Sequence, residues 1–449
     1  MHPTKLMRYF LAMMLSIGTL AALSLQAAGQ APRTTAVTLF EGARLIVGDG
    51  SAPIENSAFI VDNNRFARIG RKGELQLPNG AARVDLTGKT VMPAMIEIHS
   101  HVGWVNQRTG ALAPQTRENF VDHLQRYAYY GFAAVMSLGR DSGELAFQVR
   151  AEQIPGIPLF RTAGRGFETP DRGGPAGRSE APYAVTTEAE ARKDVQELAA
   201  KKVDMVKVWV DDRGGKVRKL SPELYRAIID EAHKHNLRVV AHIFGLEDAK
   251  ELLRSGIDGF AHSVQDKDID DEFIRLVKQR NAFIDPNLPA RGVAEDLAWL
   301  SDTVRPEEIK RLSDAAAKQT PEAVQRARDR FAITARNLVK AQAAGLPIGL
   351  GTDQTGEAWP ALVEMADMVA AGLPPAQVMV IATKNSAQIL RLDQLGTVAA
   401  GKSADFIVLN ANPLDDITNT RRVASVYLRG QAVDRAALRS AWTGSASQY

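Results

Sequence analysis

Between residues 35 and 91 the apolar positions come in short runs. Polar turn signals break them at Asp49-Gly50, Asp62-Asn63-Asn64 and Pro78-Asn79-Gly80. That is the pattern of β-strands joined by tight turns. Beyond residue 91 the pattern changes. Apolar runs at 91–98, 133–138, 157–163, 204–210, 238–242, 259–262, 282–287 and 347–351 alternate with amphipathic stretches that include 188–201, 222–235, 246–255 and 321–344. Strand and helix alternating over roughly 300 residues predict an α/β fold built as a closed (β/α)8 TIM barrel, with a doubly wound open sheet as the alternative. After residue 395 the chain returns to β-character, at 404–409 and 424–428. Both chain ends thus supply strands to one small discontinuous β-sandwich, residues 32–92 with 395–449, flanking a barrel of residues 93–394.

At 449 residues the chain exceeds one ordinary domain, and a large barrel with a smaller companion accounts for it. The formal charge of +3 is too near balance for a polyanionic partner, which argues against nucleic-acid binding. Residues 1–31 hold Lys5 and Arg8, no acid, a short apolar run and then Ala27, Ala28, Gly29 and Ala31. This is the pattern of a cleavable signal peptide, so the mature protein is expected to be periplasmic or secreted, without a stable membrane anchor. Cysteine is absent, which excludes a disulfide framework, a thiol nucleophile and a lipidated cysteine.

The candidate chemistry begins at His99-Ser100-His101, at the end of the first expected barrel strand. On a strand, residues i and i+2 share a face, so both imidazoles can reach one ion. His233-Lys234-His235 has the same spacing on an expected helix, where the two side chains diverge by about 200° and face solvent. His242, His262 and Asp353 each stand at the end of a later strand candidate. Four histidines and a carboxylate then converge at the carboxyl end of the barrel, and with cysteine missing these are zinc's preferred protein ligands. Lys207 lies inside the apolar Met205-Val206-Lys207-Val208-Trp209-Val210, where an unpaired ammonium is costly. It can become a carbamate by reaction with CO2, pair with a barrel carboxylate, or stay free beside a single metal.

With these residues in place, the chain resembles the amidohydrolase superfamily, in particular its imidazolonepropionase-like and prolidase-like branch. Pro93-Ala94-Met95-Ile96-Glu97-Ile98-His99-Ser100-His101 is similar to that family's P-G-[LM]-I-D-x-H-x-H, and Gly351-Thr352-Asp353 to its G-T-D. The stretch from Gly396 to Asp405, followed by Asn412-Pro413-Leu414, resembles the family's return to the β-domain. The resemblance implies two divalent ions, usually zinc, bridged by carboxylated Lys207. His99, His101 and Asp353 would hold one, and His242 and His262 the other. It also implies a bridging water ionised near neutral pH, with Asp353 taking its proton and passing it to the departing amine.

The chain departs from the family at Ala94, at Glu97, and at Met136-Ser137-Leu138-Gly139, where relatives commonly carry Arg-Asp. Thr162-Ala163-Gly164-Arg165-Gly166 resembles a T-G-G-H-G loop with Arg165 in place of histidine. Arg165, Arg140 and Trp104 are candidate substrate contacts, because arginine suits a carboxylate and tryptophan offers an apolar wall. The expected reaction is hydrolysis of a C–N bond in a small molecule or short peptide, such as a dipeptide with C-terminal proline or an N-acyl amino acid. Ester, lactone or cyclic-amide hydrolysis are the alternatives, and a homo-oligomer is compatible with all of them.

Overall fold

The computed structural model describes residues 37–76, 79–106, 111–112, 114–170, 182–293 and 295–443. The expected signal segment, 1–31, lies outside the described residues. From Thr35 onward the chain forms one compact unit. Among the described residues no helix is long and apolar enough to cross a membrane.

Two sheets draw on the chain ends. One has the order Arg65–Arg71, Ser57–Asp62, Thr38–Glu41, Ala82–Asp85. The other runs Arg44–Leu45, Thr90–Pro93, Phe406–Leu409, Val423–Leu428, Gln431–Ala432. In the second, Phe406 faces Pro93 and Leu409 faces Thr90 in an antiparallel pair, so segments more than 300 residues apart share one ladder. Both sheets feed one apolar cluster, in which Phe40 stacks on Phe59 at 5.0 Å and Phe406 on Tyr427 at 4.5 Å.

Seven parallel strands carry the site: β1 (Met95–Ser100), β2 (Phe132–Ser137), β3 (Leu159–Thr162), β4 (Val206–Trp209), β5 (Val239–His242), β6 (Gly259–Phe260) and β7 (Phe283–Ile284), with the short strands Phe167–Glu168 and Tyr183–Ala184 added parallel beside β4. β1 to β3 pair in order, as do β4 to β7. Asp204 N donates to Thr162 O at 2.9 Å between β3 and β4. Helices fill the connections for local reasons. Glu188–Ala200 opens on a reciprocal Thr187 and Glu190 cap, Pro222–Lys234 has proline in its first turn, and Leu246–Ser255 stops at the left-handed Gly256.

Two expectations need correction. Residues 91–98 are not one strand. Thr90–Pro93 belongs to the terminal sheet and Met95–Ser100 to the parallel set, with Ala94 N bonded to Asp405 O and Met95 N to Gly131 O. Both halves are fully buried, so hydrophobicity does not mark the crossing, and Pro93 has no N–H to continue a ladder. Residues 347–351 form no extended ladder either. Gly349 N donates to Ile284 O at 3.0 Å on one side, and Ile98 N donates to Leu350 O at 2.9 Å on the other. Pro347, Gly349 and Gly351 weaken regular pairing there. The segment is held instead by Leu350 N on Ser386 Oγ at 2.9 Å, just past the π-helical turn Ile381–Asn385.

Candidate metal centre

The carboxyl ends of β1 and of the 347–351 segment are joined by backbone. Thr352 N and Asp353 N both donate to His99 O, at 3.1 and 2.8 Å, and His101 N donates to Gln354 O at 2.7 Å. Glu97, fully buried beneath them, accepts from His99 N at 2.8 Å and from Thr352 Oγ1 at 3.0 Å. Burial pushes its carboxyl well above the ordinary range. This knot holds Asp353 in the left-handed region at φ 55°, a conformation aspartate tolerates better than most residues. Its carboxylate thereby meets both histidines of the pair. Asp353 Oδ1 lies 3.2 Å from His99 Nε2 and 2.7 Å from His101 Nε2.

The other expected ligands gather around this contact. His262 Nε2 is 3.8 Å from Asp353 Oδ2, and its ring lies 5.2 Å from His99 and 4.3 Å from His242. Lys207 Nζ, on a fully buried side chain, is 3.4 Å from His99 Nε2 and 5.2 Å from the Trp209 ring. The structure thus brings all six named side chains together. Asp353 keeps 37% of its side chain open to solvent, so the cluster is reached from that side.

The donor set fits a cation. His99, His262 and Asp353 offer ligand atoms that all lie within 4.8 Å of one another. His262 Nε2 is buried with no hydrogen-bond partner among the described residues. Burial drives the His101 imidazole down to about 3 and, with His242 beside it, holds His262 well below its ordinary value, so both stay neutral and ready to ligate. Burial alone would raise Asp353, but the electrostatic pull of the His99 ring and the hydrogen bond with His101 outweigh it and hold the carboxyl well below the usual range.

Two carboxylates not anticipated from the sequence touch the ligand histidines. Asp285 Oδ2 lies 2.7 Å from His99 Nδ1, with both side chains 1% exposed. Asp211 Oδ2 lies 3.3 Å from His242 Nε2. Asp211 directly follows the expected strand 204–210 and Asp285 lies inside the expected 282–287, and an acid at such a position was the available signal. Arg140 and Arg165 form a backbone bridge, with the Arg140 guanidinium 5.7 Å from the Trp209 ring centroid and that of Arg165 3.9 Å from Tyr183's. Trp104 is buried in the loop after β1. His233 and His235 stand apart, on a helix surface, against Asp258 and Glu231.

The Amidohydrolase family profile matches residues 90–433. The chain belongs to the amidohydrolase family. It is a hydrolase acting on carbon–nitrogen bonds, and the family is generally metal-dependent. Ochratoxinase of Aspergillus niger is 23% identical over 421 residues, covering 85% of this chain and 82% of the relative. A Bifidobacterium longum protein assigned as a prolidase superposes with a TM-score of 0.71 at 26% identity, over 90% of this chain and 98% of that one. A Xaa-Pro dipeptidase with methionine bound in its active site superposes with a TM-score of 0.70 at 22% identity, over 88% and 99%.

Proposed function

We propose that this amidohydrolase is an exported, binuclear metal enzyme that cleaves the amide bond of a dipeptide with C-terminal proline or of an N-acyl amino acid. The observation that carries the reading is the meeting of His99, His101, His242, His262, Lys207 and Asp353 at one end of the parallel strands. The hydrogen bonds of residues 347–351 to both Ile284 and Ile98 support closing those strands into a (β/α)8 barrel, with the two terminal sheets packed as a sandwich. The composite domain would then be residues 32–92 with 395–449, and the barrel 93–394.

His99, His101 and Asp353 would hold one ion, His242 and His262 the other, zinc in both places. Bound ions supply Lewis acidity toward the carbonyl and make water more acidic. Lys207 is the bridging ligand of this reading. Its neutral amine would add CO2 and release a proton, giving a carbamate able to hold a cation and relieving the cost of a buried ammonium. Asp353, ionised and partly open to solvent, accepts a proton from water and delivers it to the leaving nitrogen, without which an amide nitrogen departs poorly. Arg140, over the Trp209 ring, and Arg165, over the Tyr183 ring, would serve the carboxylate of the departing amino acid. The test is hydrolysis of a panel of Xaa-Pro dipeptides, N-acyl amino acids and their C-terminal amides, alongside elemental analysis. Two ions per chain and a preference for free carboxylates are expected. One ion at full activity, or preference for the amides, overturns the reading.

A further inference from the structure

We infer that Asp285 is a positioning residue that fixes which nitrogen of His99 faces the metal centre. The inference rests on the metal-dependent reading and goes beyond its ligand set. Asp285 follows β7 directly, and its backbone N–H is tied to Phe260 O at 2.9 Å, so the side chain leaves a rigid strand end. Its Oδ2 meets His99 Nδ1 at 2.7 Å with both groups sealed from water. His99 Nε2 is the nitrogen turned into the cluster, toward Asp353 and Lys207, so a ligating His99 carries its proton on Nδ1 and donates it to the Asp285 carboxylate.

The opposite face of the ring shows what that leaves unbalanced. His99 Nε2 lies 3.2 Å from Asp353 Oδ1. With Nδ1 already donating, a neutral ring presents its Nε2 lone pair between Asp353 Oδ1 and Lys207 Nζ, 3.4 Å away, which is where a cation would bind. His101 has no counterpart lock. Its Nδ1 is buried without a hydrogen-bond partner among the described residues. The two histidines of the pair are therefore held differently.

Gly351 supplies the room. A Cβ there would stand 2.6 Å from Asp285 Oδ2 and 2.7 Å from His99 Cβ, inside both groups. The glycine of Gly351-Thr352-Asp353 thus has a stated task, to let the Asp285 carboxylate reach across to His99.

Apo-protein is titrated with Co2+ in competition with a chelator, and binding is followed through the visible absorption of the bound ion. Asp285→Asn keeps size and shape but removes the charge. It should weaken one Co2+ binding step by about 10- to 100-fold and leave the other within error. Asp141→Asn is the control. That carboxylate is equally buried, accepts from Ser137 Oγ and Gln115 Nε2 at 2.9 Å each, and touches none of the ligand histidines. Wild-type Co2+ affinity in Asp285→Asn, or equal loss in Asp141→Asn, overturns the inference. Should Asp285→Asn fail to fold, 15N-histidine spectra of Zn2+-loaded wild type decide. One imidazole with a protonated Nδ1 and ligated Nε2, lost in His99→Gln, supports the assignment, and a His99 ligated through Nδ1 defeats it. A wild type that binds no Co2+ shows no isotherm at all, which identifies failure of the metal reading itself.

Discussion

The chain carries two His-x-His pairs, and their fates differ completely. His99 and His101, at the end of β1, are 1% and 4% exposed and turn both Nε2 atoms onto the same oxygen of Asp353. His233 and His235, at the end of the Pro222–Lys234 helix, keep 36% and 38% of their side chains in solvent and reach different carboxylates, Asp258 at 2.8 Å and Glu231 at 3.6 Å. Identical spacing yields one convergent pair and one divergent pair because a strand repeats every two residues and a helix every 3.6. The motif acquires chemistry only through its backbone period and the shelter around it.

Alanine at His99 or His101 breaks the comparison most sharply. Each change should lower bound metal and reduce kcat/KM by about a thousandfold or more. The same changes at His233 or His235 should leave both within about twofold, since neither residue approaches the cluster. Equal damage at the two pairs, by elemental analysis and steady-state kinetics, would show that the strand and helix assignments do not explain the site.

Lys207 extends the comparison to the buried cation. Lys207→Ala should lose metal and activity to a similar degree, and acetate or propionate should restore part of both by placing a carboxylate where the carbamate stood. A core lysine with no metal role predicts lower stability and no rescue. Rescue by small amines would instead assign Lys207 as a cation toward substrate and defeat the bridge.

A third kind of histidine sharpens the contrast. His123 is as buried as the β1 pair, yet its nitrogens are spent on backbone: Gly103 N donates to Nδ1 at 2.9 Å, and Nε2 donates to Val105 O at 2.7 Å. Burial pushes its pKa from 6.5 down to about 4. The unfolded chain therefore binds this proton more readily than the folded one. Stability is full above about 6.5 and is lost as pH falls toward 4, by about 3 kcal/mol in all. Urea unfolding of wild type and His123→Asn at pH 7 and pH 4.5 measures it. A wild-type loss no larger than the variant's would remove His123 as the cause.

The smallest effect belongs to the exposed pair. His233→Ala removes a partly exposed contact to Asp258, whose Oδ2 is still bonded by Val239 N at 2.8 Å. The loss should be under about 1 kcal/mol in urea unfolding. A larger loss would mean that this contact braces the start of β5.

The sequence by itself determined the chemistry that depends on residue type and local period. His99, His101, His242, His262, Asp353 and Lys207 were legible because each stands at or within an apolar run, where an unsatisfied polar group needs a reason. The helices 188–201, 222–235 and 246–255 were legible from their amphipathic repeat, and the structure bounds them at Thr187, Pro222 and Gly256. Tertiary structure decided what depends on contacts between distant segments. Hydrophobicity does not mark Ala94 as the crossing between two sheets, because both sides are equally buried. The ties of residues 347–351 to Ile284 and Ile98 come from backbone atoms that every residue carries. Asp285 is one acid among many until β7 and β1 bring it 2.7 Å from His99. The partner of a buried charge is set by packing across the strands, and no period along the chain encodes that.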